Sequence, residues 1–258
     1  AMNGGKDKIG KAPPIIAIPT TAGTGSEVGG GSVLITDDGH KVVVVSSNLI
    51  PKMAICDPEL TLSLPKHLTA ATGMDAMAHC IEAYLTNAIN PPAAAIGLDG
   101  LERVVTYLKR AVDDGNDRDA RWNMMMAASE GAMAFAKGLG SVHSMSHAVG
   151  ANDKLGAHHG TLNAVFLPTV LRFNADHVGN KYEQLRRAMG LADNSDMSDW
   201  ISEYNQTLGL PENLGAMGVT ADMVPGLATH CMTDACHFAN PKRPTVEEYE
   251  KMFIEAIG

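Results

Sequence analysis

Two pairs of metal-ligating side chains stand four residues apart, Asp75 with His79 and His143 with His147, and a third imidazole cluster follows at His158-His159-Gly160. Residues at i and i+4 share a helix face, so each pair can direct both side chains at one centre without bending the backbone. Asp75 and His79 lie in Gly73-Met74-Asp75-Ala76-Met77-Ala78-His79-Cys80-Ile81, where every other residue is apolar or small. An ionised carboxylate in such surroundings is costly unless a cation or a donor satisfies it. His143 and His147 are set in a similar stretch, Gly140 to Gly150. The chemistry expected of this pattern is divalent-cation binding, and the bland alternative is a metal-free salt bridge from Asp75 to a histidine.

A zinc-peptidase reading of the His143 segment fails at once. The H-E-x-x-H helix needs a glutamate directly after its first histidine to activate water, and that position is Ser144; the extended motif's third histidine would fall at Asp153. A second chemical signal is Pro19-Thr20-Thr21-Ala22-Gly23-Thr24-Gly25-Ser26-Glu27-Val28-Gly29. Small residues and free N–H groups in such a turn can cradle a phosphate, with threonine hydroxyls as further donors. Val28 occupies a position where the dinucleotide fingerprint requires glycine, and a glycine-rich turn is as readily only a turn. Lys41 is either a surface charge on an edge strand or a cation facing that phosphate.

The elements that must position these residues change character once along the chain. Short β-rich runs, Ile15–Ile18, Ser32–Thr36, Val42–Val45 and Met53–Ile55, alternate with turns such as Asp37-Asp38-Gly39. After Pro65 the apolar period becomes helical, predicting helices over 66–85, 92–112, 118–137, 142–150, 161–174, 181–189, 197–208 and 246–257. Thr245 with Glu248 reads as a capping box for the last of these. The expected fold is therefore mainly α: residues 65–258 an all-helical metal-binding catalytic domain, residues 1–64 a β-rich remnant of an α/β nucleotide-binding domain. Some 60 residues are too few to build an independent nucleotide-binding sheet.

Composition narrows the partners. A formal charge of −9 without any Lys/Arg cluster argues against nucleic acid and anionic membrane, because a phosphate surface needs a basic footprint. No apolar run long enough to span a bilayer and no signal peptide is present, and Cys56, Cys80, Cys231 and Cys236 have no framework spacing, so reduced thiols in the cytoplasm are expected. Cys231, Cys236 and His237 suggest a second metal site, but their spacing is long for one and a reduced structural pair is the simpler reading.

Several ordered motifs then agree at once: Pro19-Thr-Thr-Ala-Gly-Thr-Gly-Ser-Glu27, Asp57-Pro-Glu-Leu60, Leu68 to Tyr84 around Asp75 and His79, His143-Ser-Met-Ser-His147-Ala-Val-Gly150, His159-Gly-Thr-Leu-Asn163-Ala-Val-Phe-Leu-Pro168 and Asn240-Pro-Lys-Arg243. From about Pro14 to its C-terminus the chain resembles the iron-containing (group III) alcohol dehydrogenase family. The resemblance implies metal ligation by Asp75, His79, His143 and His159, a place for His147 beside the reacting centre, and a nicotinamide-nucleotide site lined by Thr20, Thr21, Lys41, Leu60 and Leu64. His158 competes with its neighbour for the ligand role; the family motif, whose ligand directly precedes the glycine, favours His159. Family members begin with a Rossmann-like half carrying a Gly-Gly-Gly-Ser turn ahead of a helix. This chain opens with Ala1-Met2-Asn3-Gly4-Gly5, and its Gly29-Gly30-Gly31-Ser32 falls between two β-runs. The resemblance thus implies an N-terminally truncated member.

The implied activity is hydride transfer between a small alcohol or aldehyde and NAD or NADP, with Fe(II), or Zn(II) or another divalent metal, binding the substrate oxygen. His147 is expected either to relay the hydroxyl proton or to orient a neighbouring ligand. A homodimer is an open assembly. Three alternatives stand beside this reading: a metal-binding helical fragment without turnover, a related dehydrogenase of the maleylacetate reductase or glycerol dehydrogenase type, and a metal-dependent hydrolase, which lacks an evident carboxylate base.

Overall fold

Every residue from Thr69 to Leu85 is buried, so the helix that carries them, α1 (Lys66–Leu85), is the axis around which the rest of the protein packs. The computed structural model describes residues 10–35 and 41–258. A helix buried on all sides needs cover on all sides, and here α2 (Pro91–Asp113), α3 (Arg118–Ala134) and α5 (His159–Asn174) all pack on α1. Small residues let them come close. A Cβ on Gly131 of α3 would stand 3.0 Å from the Cβ of His79, so glycine there lets α3 lie against the residue that α1 presents to the site.

The helices stand where the period predicts them, with ends displaced by at most three residues. Besides α1, α2, α3 and α5 these are α4 (Ser141–Gly150), α6 (Lys181–Ala188), α7 (Met197–Thr207) and α9 (Val246–Ile257). The predicted capping box is present: Thr245 Oγ1 accepts from Glu248 N, and Glu248 Oε2 accepts from Thr245 N. One helix, α8 (Val224–Cys231), is not among those expected. Pro225 and Gly226 occupy its first turn, where proline's missing N–H has no intrahelical partner to lose; in sequence the same pair signals a turn.

Of the β-rich runs, β1 (Ile16–Ala17) pairs in parallel with β4 (Met53–Ala54), and β2 (Gly31–Ile35) pairs antiparallel with β3 (Lys41–Val45), Gly31 opposite Val45. The turn expected at Asp37-Asp38-Gly39 and the opening Ala1–Gly5 lie outside the described residues. Ile16, Ile18, Met53 and Ile55, in and beside β1 and β4, are exposed. Parallel strands are normally covered on both faces, so this two-stranded pair with apolar side chains in solvent is not self-sufficient. The architecture is mainly α with a small β-rich segment ahead of the helical body, as expected. Among the described residues, no helix is long and apolar enough to cross a membrane.

One half-buried acid makes this helical body sensitive to pH. Glu130 of α3 is raised to about 7, chiefly by burial, against which the adjacent Arg103 works in the opposite direction. A carboxyl whose pKa is higher folded than unfolded stabilises fully below the unfolded value and loses that contribution as pH rises through the folded one. Stability should therefore fall between about pH 4.5 and pH 7, and Glu130→Gln should flatten that slope by on the order of 2 kcal/mol across the window. Denaturant titrations of both proteins at pH 4.5, 6 and 7.5 measure it; parallel curves would remove Glu130 as the cause.

Candidate metal centre

Asp75, His79 and Glu82 recur on α1 at intervals of four and three, which places them on one face. The Asp75 carboxylate is the focus. Its Oδ1 stands 3.5 Å from His79 Nε2, 3.6 Å from His143 Nε2 and 3.5 Å from His159 Nε2, so three imidazole nitrogens carried by α1, α4 and α5 face one oxygen. Asp75, His79 and His143 are buried, while His159 is partly open. His158, at the exposed N-terminal boundary of α5, is outside this convergence. Between histidines 159 and 143, Asn163 reaches in: its Nδ2 donates to Asp75 Oδ1 at 2.8 Å and lies 3.2 Å from both His143 Nε2 and His159 Nε2.

Glu82 explains how α4 docks with its histidines correctly turned. The α4 N-terminus has no side-chain cap of its own from Gly140. Two orphan N–H groups are satisfied from elsewhere instead: Val142 N donates to Glu82 Oε1 at 2.8 Å, and Ser141 N to Asn240 Oδ1 at 3.0 Å. The other Glu82 oxygen accepts from His143 Nδ1 at 2.6 Å. One carboxylate thus pins the helix to α1 and fixes the ring so that Nε2 faces Asp75. His159 is held similarly, its Nδ1 2.9 Å from Ser146 Oγ. His79 differs: its Nδ1 is buried without a hydrogen-bond partner among the described residues, and the Phe135 ring closes edge-on against its ring at 5.1 Å.

The electrostatics follow from burial opposed by charge. Burial alone would raise Asp75, but His79, the His143 hydrogen bond and the other imidazoles together hold it far below the usual carboxylate range. Burial lowers His79 to about 4 and His159 to about 3, so both are neutral at physiological pH with lone pairs available. Burial would also lower His143, yet its bonds to Asp75 and Glu82 prevail and raise it to about 9.

This donor set fits a divalent cation. Around a tetrahedral ion with bonds of about 2.0–2.2 Å, ligand atoms stand about 3.3–3.6 Å apart; the three oxygen–nitrogen separations lie at 3.5 to 3.6 Å, and the ligand atoms of Asp75, His79 and His143 all lie within 4.8 Å of one another, a mutual grouping that does not include His159. One carboxylate with imidazoles is a ligand set for Fe(II), Zn(II) or a similar ion, and binding would require His143, held protonated by Asp75 and Glu82, to give up its Nε2 proton.

Both segments of the chain match family models: residues 69–257 the Fe-containing alcohol dehydrogenase family C-terminal model and residues 1–58 the iron-containing alcohol dehydrogenase model. The chain belongs to the iron-containing alcohol dehydrogenase family. Among relatives, 4-hydroxybutyrate dehydrogenase of Cupriavidus necator is 52% identical over 99% of this chain and 69% of its own length. Alcohol dehydrogenase 4 of Schizosaccharomyces pombe is 37% identical over 100% of the chain and 64% of its own. Among solved structures, a 1,3-propanediol oxidoreductase superposes with a TM-score of 0.90 at 34% identity, covering 96% of this chain and 67% of that one. Sulfoacetaldehyde reductase from Bifidobacterium kashiwanohense in complex with NAD+ superposes with a TM-score of 0.87 at 30% identity, covering 95% and 65%. The chain spans about two thirds of the length of these family members.

The residues expected to line a nucleotide site are distributed differently. Thr20 is exposed and Thr21 half-buried on the loop after β1, and Leu60 (exposed) and Leu64 (half-buried) lie in and just after the 3-10 turn Pro58–Thr61 before α1. Lys41 begins β3, and its side chain lies outside the described residues. The loop's glycines answer to helix packing. A Cβ on Gly23 would meet the Thr72 Cβ at 2.7 Å, and Gly25, with φ of +60°, lies so close to α3 that its Cβ would meet the Ala132 Cβ at 2.2 Å. Glu27, buried, bonds Ser129 on α3, tying the loop down.

His147 is half-buried beside this centre, its ring stacked on that of His159 at 5.4 Å, and its Nδ1 meets Asp234 Oδ2 at 2.9 Å. Cys231 and Cys236 are both free; Cys231 Sγ bonds the Ser144 carbonyl, whereas Cys236 falls in with His147 and Asp234. Glu82, Ser146, Asn163 and Asp234 have no role in the sequence reading. Glu82 has a signal, its seven-residue spacing from Asp75, and Asn163 another, its four-residue spacing from His159; Asp234 has none.

Proposed function

We propose that this chain carries the metal-binding part of an NAD(P)-dependent alcohol dehydrogenase, with Asp75, His79, His143 and His159 holding Fe(II) or, failing that, Zn(II). The observation that supports it most is the convergence of three imidazole nitrogens on one buried carboxylate oxygen. Bound there, the cation would polarise the substrate's hydroxyl or carbonyl oxygen as a Lewis acid, and the nicotinamide would accept or supply the hydride. The chain's own residues do the rest. Asp75 supplies the negative charge that offsets the cation; Glu82 and Ser146 fix the rings of His143 and His159. Phe135 shields His79 from water. The half-buried His147 would carry the hydroxyl proton between the centre and solvent. Residues 65–258 would form the metal-holding unit, and residues 1–64, with Thr20, Thr21, Lys41, Leu60 and Leu64, would contribute to the nucleotide side.

The substrate class favoured is a short ω-hydroxy acid and its aldehyde, on the strength of the 4-hydroxybutyrate dehydrogenase relative at 52% identity. A second reading, metal binding without turnover by this chain alone, is favoured by the exposed apolar face of β1 and β4, a surface needing a cover. One set of measurements decides between them. Protein loaded anaerobically with Fe(II), or with Zn(II), should retain about one metal per chain after dialysis. NADH oxidation with succinic semialdehyde would support the first reading; retained metal with no NADH binding by calorimetry would support the second. No retained metal under either loading would sink both.

A further inference from the structure

Asp234 is remote from the ligand motifs in sequence, yet it is the hydrogen-bond partner of the one imidazole beside the centre that does not face Asp75. The two Asp234 oxygens have separate tasks. Oδ1 accepts from Cys236 N at 2.8 Å, where Asp234 caps the 3-10 turn Ala235–Ala239; Oδ2 meets His147 Nδ1 at 2.9 Å. Burial would raise this carboxyl, but the His147 bond and charge bring it below its ordinary value, so it is an acceptor at physiological pH. An acceptor-only group at Nδ1 requires the proton there. Nε2 then carries the lone pair, and among the described residues it has no hydrogen-bond partner. The ring is held on both sides: stacked on His159 at 5.4 Å and edge-on to His143 at 5.9 Å.

The geometry points to Asp234 as a positioning residue that fixes His147 in the Nδ1–H tautomer, leaving Nε2 as the proton acceptor for an alcohol at the neighbouring centre. In the direction of alcohol oxidation, Nε2 takes the hydroxyl proton as the hydride leaves the carbinol carbon; in reduction, Nε2–H returns it. This inference rests on the proposed dehydrogenase reading for its catalytic meaning, but the tautomer itself does not depend on a metal.

Asp234→Asn isolates the effect. The cap bond from Cys236 N demands an oxygen at the Oδ1 position, so the amide nitrogen must take the Oδ2 position and present a donor to His147 Nδ1. That arrangement inverts the tautomer while leaving the packing in place, the way an amide substituted for a triad carboxylate inverts its histidine. Long-range 1H–15N spectra of histidine-labelled protein, metal-free and zinc-loaded, with His147 assigned through His147→Gln, should give the Nδ1–H form in the parent chain. They should give predominantly the Nε2–H form in Asp234→Asn, a change in tautomer ratio of at least about tenfold, with Asp234→Glu restoring the parent form. A parent chain in the Nε2–H form, or an unchanged ratio in Asp234→Asn, overturns the proposal. Loss of zinc from Asp234→Asn also overturns it, since the residue would then be assembling the centre. Failure of the parent chain to retain zinc would instead count against the dehydrogenase reading, with the tautomer spectra still deciding this one.

Discussion

Asp75→Asn should abolish metal retention. The four proposed ligand side chains depend on each other through this one carboxylate: its Oδ1 is the common neighbour of the three imidazoles and the acceptor for Asn163. An amide is isosteric but neutral, so the cation loses the only charge among its proposed ligands. Its oxygen is also a weaker donor to a metal. Altering a group that merely supports a ligand lowers affinity about 10–100-fold; removing the charged ligand itself should exceed the upper end of that range. Bound Zn(II) or Fe(II) after dialysis, by elemental analysis, should fall from about one per chain to background. The proper comparison is Asp57→Asn. Asp57 is exposed and caps a 3-10 turn by accepting from Glu59 N at 3.0 Å, a task asparagine performs as well. That variant should keep its metal, and equal loss in the two would remove any special place for Asp75.

Gly160→Ala should damage both the fold and the centre. A Cβ at this position would stand 2.1 Å from the Ala71 carbonyl oxygen and 2.7 Å from its carbon, backbone atoms of α1 that no rotamer change can move aside. The same Cβ would lie 3.3 Å from that of Asp75. Relief therefore requires α5 to back away from α1, and His159, the preceding residue, must go with it. Overpacking a core costs about 1–3 kcal/mol when side chains can adapt; against backbone the upper end is expected, a loss of about 6–12 °C in Tm for a chain of this size. Metal affinity should drop at least about tenfold because one imidazole leaves Asp75. Gly226→Ala, where nothing lies within 4 Å of the added carbon, is the control and should leave Tm unchanged or slightly higher. Full metal affinity in Gly160→Ala would mean that α5 does not set the position of His159.

The sequence carried a great deal of this unaided. Helical period is a local property, and so the helices were legible within a few residues, as was the capping box at Thr245, whose two bonds span only three residues. The i, i+4 pairs announced metal-ligand chemistry because one turn of helix fixes their mutual direction without help from the rest of the chain. α8 escaped because Pro225-Gly226 reads as a turn wherever it stands, and only packing against α4 and α9 makes it the start of a helix. The threonine loop shows the same limit from the other side. In sequence its glycines read equally as a phosphate cradle or as only a turn, and the fold adds a second reason for them: α1 and α3 pass so close that Gly23 and Gly25 have no room for a Cβ.

What tertiary structure alone decided is the support around the ligands. Glu82 lies 61 residues from His143, and Asp234 lies 87 from His147. Hydrogen bonds across such separations leave no periodic trace, because they depend on how helices cross and not on the turn of any one of them. The linear order could nominate the donors for a cation and the family they belong to. Which ring nitrogen faces inward and which carboxylates hold the imidazoles in place were settled by the packing of α4, α5 and the segment after α8 around α1, buried from Thr69 to Leu85.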